Sequence, residues 1–429
     1  MKIRPKDRLV DGWARLFPNP RYYGWAIVGL CFLACALSSP GQSFAISLYV
    51  DEVIEALDVS RLEVSSLYGV MTLLAAGCLP FVGRIADAMT ARRFLASNLL
   101  LLALAIAFFA VVQNLWMLAA AFFLLRLLGQ GAIGLGTLTA TVVWFRRYRG
   151  RALGVGQLGY AFGELIFPAT IVALIAVVGW RQSLWVIAAV YIVVFVPLYL
   201  WLLRERRNDE PLDGEARPLP EAIDSSREED RFGQSSFEVN EALKTPVFWG
   251  MLACVAVLPM VITAVIFHQV ALFEAVGWGA DHVPISFVFF AITSVSTTYV
   301  SSILLERIPC RFGVTAGMLA AVLAMVVAYW AGPPLVGSLM YGTVLGASAG
   351  IITAANALVW PEYFGVGSIG AIKGVVNAVR NGSTALGPPL VAWLIGPEID
   401  FTNAFWLLGA LSLAAAVAAV WMTPPEDNS

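Results

Sequence analysis

The sequence predicts an all-α membrane protein with twelve transmembrane helices in two halves of six. The chain is 59% hydrophobic and 13% charged and has a mean hydropathy of +0.78, whereas soluble domains carry about 25% charged residues. Its apolar segments recur at lengths of roughly 20 residues or more, which is enough to span a bilayer. Lys and Arg are concentrated in alternate connecting loops, as expected of loops on the cytoplasmic side.

Apolar runs bounded by charged residues, Pro and Gly predict the spans one by one. The first half is predicted to contain spans at 23–50, 62–88, 92–112, 115–144, 150–178 and 181–203. The second half is predicted to contain spans at 246–273, 283–305, 312–331, 335–360, 367–395 and 402–422. Most Lys and Arg then fall on the cytoplasmic side, so both termini are expected there, in a multi-pass protein of the plasma (inner) membrane.

The spans divide the chain into five regions. These are a cytoplasmic N-terminus at 1–22, a six-helix bundle at 23–203, a cytoplasmic linker at 204–245, a second bundle at 246–422 and a tail at 423–429. The linker is rich in charge and Pro, which predicts a disordered or surface-lying segment. The two halves resemble each other, and transporters use such internal repeats to build alternating access around a midplane site.

Several functional classes find no support in the sequence. The net charge of −2 gives no nucleic-acid footprint. There is no phosphate-binding loop or HExxH motif, and two histidines do not make a credible catalytic triad. The five cysteines lack the spacing of a metal or redox site. We therefore expect no cofactor, no metal and no enzyme activity, and transport driven by a solute or proton gradient. The protein is also expected to be a monomer surrounded by membrane lipid.

The loop between the second and third predicted spans carries a family signature. The segment from Gly83 to Arg93 reads GRIADAMTARR, which resembles the loop motif of the major facilitator superfamily, with departures at Ala88 and Thr90. The segments RLLGQG at 126–131 and GWR at 179–181 resemble two further elements of that family. The resemblance implies the twelve-helix major facilitator fold, and it implies that Gly83, Asp87, Arg92 and Arg93 form a latch that holds one access state.

Within this family, the chain is most similar to the oxalate/formate antiporter and monocarboxylate porter branch. The similarity lies in YGW at 23–25, RGRALG at 149–154 and YFG at 363–365. The spacing from Gly374 to Arg380 resembles a pattern of the eleventh span in which a cation faces the substrate carboxylate. The predicted eighth span contains no Arg, Lys or Asp, whereas the branch commonly places an Arg there.

Ionisable residues within the spans are candidate functional residues, because a charge at membrane depth costs at least a few kcal/mol. Arg380 lies near the midplane of the eleventh span between Asn377 and Asn381, and its planar fork of donors suits a carboxylate. Arg126 and Glu164 are expected at similar depth. They are interpreted either as a substrate contact and a proton carrier, or as a permanent buried ion pair.

Three further residues are also candidates. His268, predicted in the outer third of the seventh span, either titrates near neutral pH and takes part in proton coupling or is a hydrogen-bonded structural residue. Gln42 lies in a polar cluster, SSPGQ at 38–42, that interrupts the first span, and Pro with Gly loosens a helix where polar groups line a cavity. Tyr160 is related to Arg380 by the repeat offset and is a candidate cavity residue.

The leading hypothesis is a secondary active transporter of a small organic anion, a monocarboxylate, that works by proton symport or anion exchange. The first alternative is an efflux transporter for a hydrophobic or cationic compound, which would favour an acidic cavity. The second alternative, of another class, is a transport-inactive receptor or scaffold.

Overall fold

The computed structural model describes residues 20–145, 149–206, 237–330, 332–365, 368–396 and 398–425. Helices account for nearly all of the described chain. In the first half these are α1 Pro20–Leu37, α2 Ser43–Ser47, α3 Val50–Leu57, α4 Arg61–Ala88, α5 Ala91–Ala110, α6 Leu115–Leu125, α7 Ile133–Trp144, α8 Arg149–Val178, α9 Trp180–Val190 and α10 Val196–Leu202. In the second half they are α11 Val239–Ala242, α12 Pro246–Phe267, α13 Gln269–Ala275, α14 Val283–Leu304, α15 Cys310–Trp330, α16 Pro334–Phe364, α17 Ile369–Thr384, α18 Gly387–Ile395 and α19 Thr402–Trp421.

Eleven helical segments of the described chain are long and apolar enough to cross a membrane. They correspond to eleven of the twelve predicted spans. The remaining span, predicted at 367–395, consists of two shorter helices, α17 and α18, which meet at Ala385 and Leu386. The helix is interrupted there because Gly387 and Pro388 follow directly, and Pro is favoured in the first turn of a new helix.

Several spans are interrupted rather than continuous. The predicted break in the first span is confirmed: α1 ends at Leu37, a 3₁₀ turn covers Ser39–Gly41, and Gln42 is extended. The fourth and sixth spans contain π-helical segments at Arg126–Ala132 and Tyr191–Phe195. Such wide turns insert an extra residue into the hydrogen-bond ladder and are frequent at functional sites.

Backbone contacts divide the chain into two compact units. The first comprises the described residues of Met1–Ile46 and Leu74–Leu219, and the second comprises those of Ser47–Leu73 and Pro220–Ser429. The segment Ser47–Leu73 therefore packs with the second half of the chain, although the sequence places it in the first bundle. The division of the fold into two six-helix bundles stays a prediction.

The last part of the predicted linker at 204–245 contains a short helix, α11. Residues 207–236 lie outside the described residues. Beyond them, the Phe237 N–H donates to the Phe364 carbonyl over 3.1 Å, and a capping box between Glu238 and Glu241 starts α11. Of the two expectations for the linker, disordered or surface-lying, its last part does not fit the first, because Phe237 packs its ring on Phe364, with the ring centroids 5.6 Å apart.

Candidate functional site

In the first unit, the broken first span lies against the π-helical segment of the fourth span. A Cβ added at Gly41 would lie 2.2 Å from the Leu125 carbonyl oxygen, and one added at Gly129 would lie 2.7 Å from the Gly41 Cα. Only glycine permits such an approach of one backbone to another. The break in the first span is therefore held against the fourth span by direct backbone contact.

Arg126 is part of this contact. It is 2% exposed, and its Nη1 donates to the Gly41 carbonyl over 3.1 Å and to the Ser43 hydroxyl over 3.5 Å. A backbone carbonyl released by a helix break must find a donor in the membrane interior. Arg126 supplies that donor, which favours a structural contribution over the substrate contact expected from the sequence.

The expected ion pair between Arg126 and Glu164 does not form among the residues that the structure describes. Helical depth alone predicted the pair, but the guanidinium is directed toward the break in the first span, where it donates to Gly41. Glu164 is half-buried, and no described residue forms a hydrogen bond or ion pair with its carboxylate. Its neighbour Gly163 packs on the break, since an added Cβ would lie 2.4 Å from the Ser39 hydroxyl.

Gln42 is part of this break, and Tyr160 lies on α8, the helix that packs on the break through Gly163. The Gln42 amide donates to the Ser38 hydroxyl over 3.1 Å and so stabilises its own turn. Tyr160 is half-buried one helical turn before Glu164 on α8, which places both residues on one helix face. The Tyr160 hydroxyl would lie 3.2 Å from a Cβ at Gly134 of α7. Gln42 and Arg126 therefore contact the break directly, and Tyr160 and Glu164 lie on the helix that packs on it through Gly163.

In the second unit, Arg380 lies in the middle of α17. The helix packs on α12 through Ile372 and Val376, which are 1% and 0% exposed. Arg380 is half-buried, and Asn377 and Asn381 are exposed. The Nε of Arg380 is buried with no hydrogen-bond partner among the described residues. A guanidinium that is partly desolvated and has an unused donor is an arrangement that an anion would complete.

His268 occupies a helix junction rather than the interior of the seventh span. The α12 helix ends at Phe267, and the ring Nε2 of His268 lies 2.9 Å from the Pro388 carbonyl oxygen at the start of α18. Because a carbonyl only accepts, Nε2 carries the proton in this contact. The seventh span, predicted at 246–273, is present but ends at Phe267, and His268 joins the helix break after α12 to the one before α18. Its Nδ1 is buried without a partner in the described part of the chain.

The segment Ser47–Leu73 packs close to this junction. The Tyr68 ring lies 4.4 Å from the Phe267 ring, and a Cβ added at Gly69 would lie 2.4 Å from the Ala385 carbonyl oxygen. Arg61 at the start of α4 forms an ion pair with Asp51. These contacts fix the beginning of the second span against the helices that carry His268 and Arg380.

An apolar cavity of about 270 Å³ lies elsewhere in the second unit, between α15 and α19. Aliphatic and aromatic residues line it, including Met325, Phe405 and Trp406, and it contains none of the candidate residues. Within the described ranges, no group of three or more His, Cys, Asp or Glu residues is placed to hold a metal ion. This apolar cavity therefore does not mark the position of the candidate polar residues.

Comparison with known proteins decides the family. The profile described as Major Facilitator Superfamily matches residues 30–388. The chain belongs to this superfamily. It is a multi-pass secondary transporter of a small molecule and not an enzyme. Among curated proteins, none matches the chain.

Solved structures support the major facilitator fold independently. Two structures of a bacterial homolog of the human lysosomal transporter Spinster, one inward-facing and occupied and one inward-facing and unoccupied, are similar to this chain with TM-scores of 0.67 and 0.62. Both are 16% identical to it, both matches cover 93% of this chain, and they cover 94% and 95% of the respective solved chains. At this identity the likeness is one of fold alone.

The major facilitator loop between α4 and α5 is described in part. Thr90, which replaces the glycine of the signature, caps α5 by accepting a hydrogen bond from the Arg93 N–H over 3.4 Å. Arg92 donates to the Leu200 carbonyl at the end of the sixth span, which ties the loop to that span. No heavy atom lies within 4 Å of a Cβ added at Gly83. The side chain of Asp87 lies outside the described residues, so the latch stays a prediction.

Proposed function

We propose that this major facilitator protein transports a small organic anion, a monocarboxylate in the simplest case, and that Arg380 binds the carboxylate. The observation that supports this proposal most strongly is the half-buried guanidinium of Arg380, whose Nε lacks a partner among the described residues. Two exposed amides, Asn377 and Asn381, lie beside it on α17. A bidentate carboxylate would use the donors of the guanidinium, and the amides would orient it.

The charge distribution of the long helices in the second half of the chain disfavours the efflux of a cation. Carboxylates are absent from α12, α14, α15 and α17. The Glu362 carboxylate near the end of α16 accepts from the Cys310 N–H over 3.1 Å and thereby caps α15. A cationic substrate would therefore meet Arg380 with no nearby acidic group from these helices to offset the repulsion.

Glu164 is the proposed proton carrier of the cycle. Its carboxylate is half-buried, and Arg126 is directed elsewhere, so a change of its charge would not leave a paired cation behind. The driving force distinguishes proton symport from anion exchange, because only a symporter accumulates substrate when a pH gradient is the sole gradient applied. His268 is the second candidate, since its buried Nδ1 has no partner in the described chain and could accept a proton.

The test combines binding and transport. Purified protein is screened for thermal stabilisation by monocarboxylates, cations and neutral compounds, because a ligand of the native state raises its melting temperature. Arg380→Ala should abolish the stabilisation by anions and the transport, and Arg380→Lys should retain the charge but weaken binding through loss of the fork geometry. Normal anion binding and transport by Arg380→Ala would show that the site is wrong. Stabilisation by cations alone would favour efflux, and binding without transport in liposomes would favour a receptor.

A further inference from the structure

A second cation lies on the same face of α17 as Arg380. Lys373 precedes Arg380 by seven residues, and seven residues of an α-helix make almost two full turns. The two side chains therefore leave the helix in nearly the same direction, and Asn377 lies between them on this face. We call this face, made by Lys373, Asn377, Arg380 and Asn381, the cationic stripe. The buried residues Ile372 and Val376 hold the helix on α12, and the stripe lies beside this packed face.

Neither cation of the stripe has an ion-pair partner among the described residues. Lys373 and Arg380 are both half-buried. The hydrophobic spans of the second half, α12, α14, α15, α18 and α19, contain no Asp or Glu. Two cations that are partly removed from water on one helix face repel each other and favour an anion between them.

The separation of the two cations selects the shape of that anion. Seven residues at 1.5 Å per residue place their Cα atoms about 10 Å apart along the helix axis. The Cα–Cβ bonds of both residues tilt toward the helix N-terminus, so the tilt shifts both side chains together and leaves their spacing unchanged. Rotation of the two flexible side chains varies the distance between the charged groups around this value. Two carboxylates separated by a chain of several methylene groups fit this spacing, whereas adjacent carboxylates do not reach both cations.

We propose that Lys373 is a second substrate-binding residue and that the preferred substrate is an extended dicarboxylate, held by Arg380 at one end and by Lys373 at the other. This inference rests on the proposed function, since it requires that Arg380 binds a carboxylate. Among the small organic anions of the proposed function, it selects an extended dicarboxylate in place of a monocarboxylate. Asn377, between the two cations and exposed, faces the connecting chain.

Adipate and hexanoate make a matched pair of probes, because they have the same number of carbons and differ in the second carboxylate. Wild-type protein should bind adipate more tightly than hexanoate in a thermal-shift titration, and oxalate should behave like a monocarboxylate. Lys373→Gln should weaken adipate binding roughly twofold to fivefold, the range expected for loss of one partly exposed ion pair, and leave hexanoate binding unchanged. Lys373→Arg should retain the preference for adipate.

The control is Lys244→Gln, the same substitution at an exposed lysine of the second unit, which should change neither affinity. Retained hexanoate binding by Lys373→Gln also shows that this variant is folded. The inference is overturned if wild-type protein prefers hexanoate, or if Lys373→Gln keeps the ratio of the two affinities. If neither acid binds and Arg380→Ala changes nothing, the proposed function itself fails. Hexanoate binding that depends on Arg380 but not on Lys373 refutes only the dicarboxylate.

Discussion

The contact between the first and fourth spans gives a sharp prediction about Gly41. A methyl group at this position would lie 2.2 Å from the Leu125 carbonyl oxygen and 2.7 Å from the Gly129 Cα. Both neighbours are backbone atoms, so no side-chain rotation relieves the overlap. In Gly41→Ala the two spans must move apart, and the hydrogen bond from Arg126 to the Gly41 carbonyl is stretched or lost.

The size of the effect follows from these two losses. Overpacking of a close contact costs about 1–3 kcal/mol, and a hydrogen bond from a charged donor contributes about 1.5–3 kcal/mol. Because the spans relax together, the two costs overlap, and we expect a loss of about 3 kcal/mol. At about 2–4 °C per kcal/mol for a larger chain, the melting temperature should fall by roughly 10 °C.

Thermal unfolding of the purified protein measures this loss. The matched control is Gly29→Ala in the same span, where no heavy atom lies within 4 Å of the added methyl group. That variant should be as stable as the wild type or slightly more stable, because alanine favours a helix by about 0.5–1 kcal/mol over glycine. Equal melting temperatures for Gly41→Ala and the wild type would refute the close backbone contact and the anchoring by Arg126.

Three further predictions concern other parts of the molecule. Because Arg126 and Glu164 do not pair, Glu164→Gln should change the free energy of unfolding by less than about 1 kcal/mol, whereas Arg126→Gln should lower it by about 1.5–3 kcal/mol. A double variant that is more stable than Arg126→Gln alone would contradict this. Gly69→Val should lower the free energy of unfolding by about 1–3 kcal/mol, since a Cβ at this position would lie 2.4 Å from the Ala385 carbonyl oxygen. Unchanged thermal stability of this variant would disprove that packing. Hydrogen bonds from the backbone N–H and the side chain of Thr402, at the start of α19, hold the pKa of the Asp400 carboxyl below its usual value. The stability that these hydrogen bonds provide is present above the pKa that Asp400 has in the unfolded chain, and it is lost as the pH falls through the pKa in the folded protein. In a plot of melting temperature against pH, Asp400→Asn should therefore show a smaller decrease at acid pH than the wild type.

The sequence predicted the spans well because hydropathy depends on composition, and lipid demands apolar side chains wherever it meets the protein. It also located the break in the first span, because Pro40 and Gly41 disturb a helix by their covalent structure. It did not find the π-helical segment at Arg126–Ala132, since no residue type marks an extra residue in a helical turn. The packing of Ser47–Leu73 with the second unit likewise depends on contacts between residues distant in sequence.

The candidate site could be predicted only in part, for a related reason. Counting residues from the ends of a span gives the depth of a side chain, but not the direction in which it leaves the helix. Arg126 and Glu164 matched in depth, yet Arg126 is directed to Gly41. His268 was placed in a continuous span because the apolar pattern continues through Phe273, and the break at His268 depends on the acceptor that Pro388 provides.

The breaks in the helices explain why Arg380, and not Arg126, is the better candidate for the substrate. Each broken span leaves backbone carbonyls that water cannot reach, so a nearby side chain must donate to them. Arg126 donates to Gly41 in the first unit, and His268 donates to Pro388 in the second. The carbonyls at the end of α17 accept from small hydroxyls instead, since Ser383 donates to the Arg380 carbonyl over 2.7 Å and Thr384 to the Asn381 carbonyl over 2.7 Å. Because these hydroxyls bind the backbone there, the guanidinium of Arg380 is not needed to stabilise the break, and its buried Nε is available to an anion.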